Sequence, residues 1–159
     1  MKDIYLILDQ LNIKYHKYNH PAVFTVEESE SLHLDIPGAH SKNLFLRNKK
    51  KTAYYLVTVL ADKRVNLNQL TKELGEDKLS FASPEDLKKY LGLTPGSVSV
   101  FGLINNEEKN ITVIVDQDFF GSEEIGFHPN DNTATLVIKT EDLKKFLDFC
   151  GNQIVFKNI

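Results

Sequence analysis

The run Tyr54–Leu60 (Tyr-Tyr-Leu-Val-Thr-Val-Leu) constrains the fold of this chain more than any other stretch. It is rich in β-branched and aromatic residues, too short for an ordinary helix, and apolar nearly throughout rather than at alternate positions. These properties predict a strand with both faces buried, and such a strand needs a layer of structure on each side. A second apolar run at residues 43–47 precedes it, and the polar stretch at residues 48–52 between the two predicts a hairpin. The 159 residues are enough for one domain with a full core.

Local signals supply the remaining elements. Ile4, Ile7, Leu8 and Leu11 stand at helical spacing and predict an amphipathic helix over residues 2–11. Residues 13–18 alternate as a strand does, ending at His20-Pro21. Thr25-Val26-Glu27-Glu28 reads as a helix start, with Thr25 as cap and acids in the first turn. Leu67, Leu70 and Leu74 predict a short helix stopping at Gly75. Ser83-Pro84-Glu85-Asp86 combines a cap, a first-position proline and first-turn acids, opening a helix that ends at Gly92. Thr94-Pro95-Gly96-Ser97 is a turn leading into a strand-like stretch at 98–103, and Asn105-Asn106 turns the chain toward a strand at 111–115. Residues 133–138 predict another strand, and a last helix runs from a Thr140 cap through Leu143, Phe146, Leu147 and Cys150 to Gly151. The strands and helices do not alternate strictly and no linker divides them. The expected architecture is therefore one α+β domain over residues 1–159, with a mixed, strongly curved, barrel-like sheet surrounded by helices.

Composition excludes several function classes. The formal charge of -3 argues against strong nonspecific nucleic-acid binding, which needs clustered Lys and Arg. Arg47, Lys49, Lys50 and Lys51 do form a short basic run, readable as a solvated hairpin tip or as a weak local phosphate contact. Asp9 and Gln10 cut short the apolar N-terminal stretch, so no signal peptide or membrane association is expected, and a cytoplasmic location is the simplest expectation. The single cysteine allows no disulfide framework, and Cys150 falls on the apolar stripe of the last helix, where it reads as a small core residue. The histidines (His16, His20, His33, His40, His128) lack metal-ligand spacing, so no metal and no cofactor is expected.

Chemistry is best placed in four polar segments that punctuate the strands, at residues 20–25, 38–43, 93–97 and 127–130. None contains a nucleophile elbow, a P-loop or a zinc-protease motif. Lys42 directly precedes an apolar strand, where it reads either as an ordinary edge lysine or as a side chain aimed into a cleft. Gly96 reads either as a plain turn glycine or as part of an anion-binding backbone nest.

The stretches HPAVFTVEES (20–29), GAHSKNLFLRNKKKTAYYLV (38–57), LSFASPEDLKKYLGLTPGSVSVFGL (79–103) and FHPNDNTATLVI (127–138), with VNLNQLTKELG between the second and third, run over almost the whole chain. In this order and spacing they resemble the YbaK/ProX family of aminoacyl-tRNA deacylases. Within it the sequence looks closest to the ProX branch, which is similar to the editing domain inserted in bacterial prolyl-tRNA synthetases. The resemblance implies clearance of alanine from tRNA for proline, with aminoacyl-tRNA and a prolyl-tRNA synthetase as partners, whereas the YbaK branch clears cysteine. Such proofreading has a physical reason: a pocket that fits proline rejects a smaller residue by only about 1–3 kcal/mol, so a second sieve is needed. An aminoacyl ester is already activated, so the site need only position water and stabilise charge on the carbonyl oxygen.

By the same resemblance the family's essential lysine falls on Lys42, an electrostatic anchor near the ester or the terminal ribose and phosphate. Asn43 would orient the ribose or the substrate amine, Gly96 and Ser97 lie in the loop lining the amino-acid pocket, and His128 shapes that pocket or binds the aminoacyl end. His40 is a further candidate beside Lys42, and the terminal ribose hydroxyl would assist the water. The family loop typically reads G-x-x-x-P, but here Gly96-Ser97-Val98-Ser99-Val100 ends in valine, which bears on how strictly alanine is selected. Alternatives are a deacylase for cysteine or another small residue, a non-catalytic tRNA- or synthetase-binding module, and a small-molecule-binding domain.

Overall fold

The computed structural model describes residues 2–22 and 36–159. The helix start expected at Thr25-Val26-Glu27-Glu28 lies outside them, as does His33. Helix α1 (Ile4–Gln10) is capped by Asp3, whose carboxylate accepts the Tyr5 amide at 2.9 Å. Strand β1 (Tyr15–Asn19) follows, and then the expected hairpin of β2 (Ala39–Asn48) and β3 (Tyr54–Leu60). One buried side chain holds the hairpin tip. Asn48 Oδ1 accepts the Thr52 and Ala53 amides at 2.8 and 3.1 Å, and its Nδ2 donates to Thr52 Oγ1 at 2.8 Å. Helix α2 (Leu67–Glu73), strand β4 (Leu79–Phe81) and helix α3 (Pro84–Leu91) come next; α3 starts on the Ser83 cap and stops at Gly92, φ +69°, as its sequence predicts.

Residues 98–103 depart from expectation: they lead into a 3-10 helix, Val100–Asn105, not a strand. Val100, Phe101, Leu103 and Ile104 are all buried, and an apolar run buried on every side carries no periodicity that separates strand from helix. Ser99 settles the matter locally, its hydroxyl accepting the Phe101 amide at 3.2 Å. The chain then forms β5 (Ile111–Asp116), a 3-10 turn (Gln117–Gly121), β6 (Glu124–Phe127), β7 (Ala134–Lys139), α4 (Thr140–Cys150) and β8 (Ile154–Lys157). Thr140 is not the cap of α4. Lys139 occupies that position without a side-chain bond, and the buried Thr140 hydroxyl has no hydrogen-bond partner.

The strands form one mixed sheet in the order β1-β7-β6-β2-β3-β5-β8, with β4 paired to β2. The α+β class and mixed sheet are as expected; the sheet does not close, and β1 and β8 are its ends. The main core lies on one face, where α1, α3, α4 and the first 3-10 helix pack on Phe45, Leu56, Val113, Ile125 and Leu136. A smaller core lies opposite, where Leu70 of α2 packs with Leu46, Val57, Val59 and Ile114. β3 therefore sits between two apolar layers, which accounts for its unbroken apolar run.

Leu56 has no exposed surface, so Leu56→Ala should lower the unfolding free energy by about 2–5 kcal/mol in urea titration. Leu6→Ala, at a residue 60% exposed, should stay within about 0.5 kcal/mol of the parent.

Candidate active site

β2 changes neighbours along its length. Its first residues pair in parallel with β6, Ala39 with Ile125 and His40 with Gly126, and from Ser41 onward it pairs antiparallel with β3. Two glycines permit the close approach. A Cβ at Gly38, φ +85°, would lie 3.0 Å from the Glu124 backbone oxygen, and one at Gly126 would lie 2.8 Å from Thr135 Cγ2. Ser41 Oγ ties the strands by donating to the Gly126 carbonyl at 2.7 Å.

Strand alternation then decides which side chains share a face. Ala39, Ile125 and Leu136 face the main core, so His40, Lys42, Gly126 and Thr135 share the opposite face. His20 joins this group at the end of β1: its Nε2 accepts from Thr135 Oγ1 at 3.0 Å, and its Nδ1 donates to the Pro21 carbonyl at 2.9 Å. His128 stands next to it, the two rings edge to face at 6.0 Å between centroids. His40 Nε2 lies 3.1 Å from the Ile36 carbonyl.

The Gly96 loop meets the His128 loop. Gly96 has φ +90°, and a Cβ there would lie 3.6 Å from Asn132 Nδ2. Ser97 is buried, its amide donating to the Thr94 carbonyl at 3.1 Å, and Asn130 Nδ2 reaches the Phe101 carbonyl at 3.5 Å. His128, Gly96 and Ser97 thus gather at one end of the sheet, and Ser41 connects that end to Lys42.

The Lys42 ammonium donates to the main-chain carbonyl of Lys63, in the loop that follows β3. Lys63 is itself held by carboxylates: its Nζ lies 2.9 Å from Asp116 Oδ1 and 2.6 Å from Asp118 Oδ2. Burial works to lower the Lys63 pKa, but its bonds to Asp118 and Asp116 outweigh that and keep it above the ordinary lysine value.

Other expected residues lie elsewhere. Asn43 points to the opposite face from Lys42, with Phe45; its buried Oδ1 has no hydrogen-bond partner among the described residues, nor does Thr58 Oγ1 on the residue paired with it. Arg47, Lys49, Lys50 and Lys51 occupy the far end of β2, about 20 Å from Lys42 at ~3.3 Å per residue. Cys150 is in the main core, where burial pushes its thiol up to about 12, so it is no nucleophile. A cavity of about 710 Å³ beside the start of α4 contains none of the expected residues, and its lining mixes Glu123, Glu124 and Glu141 with Lys139 and Lys144.

Residues 20–146 match the aminoacyl-tRNA editing domain model. The chain belongs to the aminoacyl-tRNA editing domain family. The prolyl-tRNA editing protein ProX of Acetoanaerobium sticklandii is 42% identical over 145 residues, covering 91% of this chain and 88% of that protein. The prolyl-tRNA synthetase associated domain-containing protein 1 of Bos taurus is 37% identical over 155 residues, covering 95% and 90%. A solved structure described as a candidate trans-editing enzyme for prolyl-tRNA synthetase shares the fold, with TM-score 0.69, 20% identity and coverage of 98% of this chain and 96% of that one. Within this editing domain, His20, Thr135, Gly126, Lys63 and Asp116 are site neighbours that residue-by-residue reading left unassigned. Their signal is the strand register, which no single motif carries.

His128 Nδ1 lies 2.9 Å from the Ala134 carbonyl, so Nδ1 carries the proton and Nε2 is the acceptor of the neutral ring. Burial, aided by His20 and opposed by the Ala134 bond and Asp131, lowers its pKa from 6.5. The unfolded chain therefore takes up this proton first on acidification: the stability His128 contributes is complete above about pH 6.5 and is lost as pH falls toward its folded value. An NMR titration should place its midpoint below 6.5. A midpoint at or above that value would contradict the assignment.

Proposed function

We propose that this editing domain hydrolyses mischarged tRNA for proline in trans, with alanyl-tRNA as its principal substrate. The observation that carries the reading is the shared face of His40, Lys42 and Thr135, with His128 and the Gly96 loop at its end, in a chain resembling the prolyl-tRNA editing protein over most of its length. That face offers an ammonium and a neutral imidazole, a set that suits an ester already activated for attack.

Water adds to the ester carbonyl, and the bond to the terminal ribose oxygen then breaks as that oxygen takes up a proton. The products are free amino acid and uncharged tRNA. Lys42 stabilises the negative charge on the carbonyl oxygen. His128, through Nε2, accepts a hydrogen bond from the substrate ammonium or from the attacking water. The terminal ribose hydroxyl assists that water. Gly96 and Ser97 form the wall that admits alanine and turns away proline. Arg47, Lys49, Lys50 and Lys51 make weak phosphate contacts some distance along the acceptor stem, and a synthetase partner supplies further affinity. The reaction belongs to translational proofreading in the cytoplasm; among the described residues no helix is long and apolar enough to cross a membrane.

Alanyl-, cysteinyl- and prolyl-tRNA for proline should be hydrolysed in that order, with prolyl-tRNA spared. Preference for the cysteinyl ester would shift the substrate to the cysteine-clearing class, and inertness toward all three would leave a binding module. Lys42→Ala should reduce turnover by about 100-fold or more while the thermal midpoint holds. Retained turnover in that variant would remove Lys42 from the chemistry.

A further inference from the structure

We propose that Asp116 and Lys63 are positioning residues that fix the Lys42 ammonium and keep its charge available to the substrate; this rests on the deacylase reading above. A lysine ammonium rides on a flexible four-carbon stem with many rotamers, so a lysine that must act at one point has to be held there. What holds Lys42 is the Lys63 carbonyl. A carboxylate in that place would hold the ammonium equally well but would neutralise it. A carbonyl holds it and leaves the charge intact.

The carbonyl is useful only if its loop is fixed, and three contacts fix it. The Ala61 amide donates to the His40 carbonyl at 2.8 Å, bringing the loop beside the start of β2. The Lys63 amide donates to the Leu60 carbonyl at 3.1 Å. The Lys63 side chain turns inward to Asp116 and Asp118, its Nζ also 3.0 Å from the Ile159 main-chain oxygen. Asp116 anchors the assembly: with no exposed surface, its Oδ2 accepts the Leu60 amide at 3.2 Å and its Oδ1 the Asp118 amide at 2.9 Å.

Charge balance points the same way. Two ammonium groups brought to one loop would repel, but Lys63 has two carboxylates against it. Both carboxylates pair with Lys63, whereas among the described residues the Lys42 ammonium meets a carbonyl and forms no ion pair of its own. A buried ion pair is also a poor device for stability alone, since apolar side chains of similar volume often serve as well. What a buried pair does supply is fixed geometry at the loop that receives Lys42.

The test is steady-state hydrolysis of alanyl-tRNA for proline by the full chain carrying Asp116→Asn, Lys63→Met or Lys63→Arg, with Lys42→Ala alongside. Asp116→Asn and Lys63→Met should lower kcat by about tenfold to a hundredfold, the loss expected when a reacting group is displaced by about an ångström, with KM nearly unchanged. Lys63→Arg should recover most of the rate, because a guanidinium reaches both carboxylates. Should Asp116→Asn fail to fold, the pair Lys63→Met with Asp116→Asn leaves no buried charge unpartnered and should show the same loss of kcat. Wild-type kcat in folded Lys63→Met, Asp116→Asn or their double variant, or a change there in KM only, overturns the positioning role provided Lys42→Ala is inactive. Full activity in Lys42→Ala would instead overturn the reading beneath it.

Discussion

Gly126 is the point on which the arrangement of this sheet depends. Its missing Cβ leaves room for Thr135 Cγ2, and the missing Cβ of Gly38 leaves room for the Glu124 backbone, so β7, β6 and β2 lie side by side without a gap. The parallel pairing of His40 with Gly126 sets the phase of both halves of the sheet. A slip of one residue in that pairing would exchange every side chain between faces. Lys42 and His40 would then turn into the main core, and Ala39 and Phe45 would turn out of it. The same register that buries Phe45, Leu56 and Ile125 therefore puts the ionisable groups on the other side. Core and site are one specification.

That separation bears on the electrostatics. Lys42 and His128 both face a region free of the main core, yet their environments differ. The lysine meets the main-chain carbonyl of Lys63. The imidazole is largely buried and donates its one proton to a carbonyl, which leaves it neutral with Nε2 as the acceptor nitrogen. On the proposed reading, a cation where negative charge develops and a neutral acceptor able to orient a donor suit ester hydrolysis without a covalent intermediate. Cys150, the residue best suited to covalent catalysis by type alone, is removed from that role by the apolar stripe of α4.

Elements with local signals were legible in the sequence. The Ser83 cap with Pro84, the Gly92 stop, the apolar face of α1 and the β2–β3 hairpin all depend on neighbours a few residues away. β6 and β8 were not legible, because four residues are too few to show a period and Glu124–Phe127 is interrupted by glycine. The start of β2 read as a loop because Ala39, His40 and Ser41 lack apolar alternation; they are strand because β6 pairs with them, a contact more than eighty residues away in sequence. The site was legible in part for the same reason. His40, Lys42, His128 and Gly96 could be picked as candidates from their segments and the family likeness, but the opposite facings of Lys42 and Asn43 follow from register. The Asp116 network follows from the pairing of β3 with β5, which no local pattern encodes.

Register also bears on the loop that ends in Val100 where the family likeness expects proline. Proline there would fix φ through its ring and would lack an amide proton. At the first position of a helical turn that proton has no partner within the helix, so the position accepts either residue. Val100 is that first residue of the 3-10 helix, and its side chain is wholly buried in the main core. Ser99 before it is also fully buried, with its hydroxyl on the Phe101 amide, and Ser97 is tied to Thr94. The loop is thus held by packing and hydrogen bonds over most of its length. Gly96 lies at its exposed start, where an added Cβ would touch Asn132 Nδ2 at 3.6 Å. In the proposed deacylase, a wall that excludes a five-membered ring by size needs stiffness more than it needs any particular residue, and burial supplies that stiffness without proline.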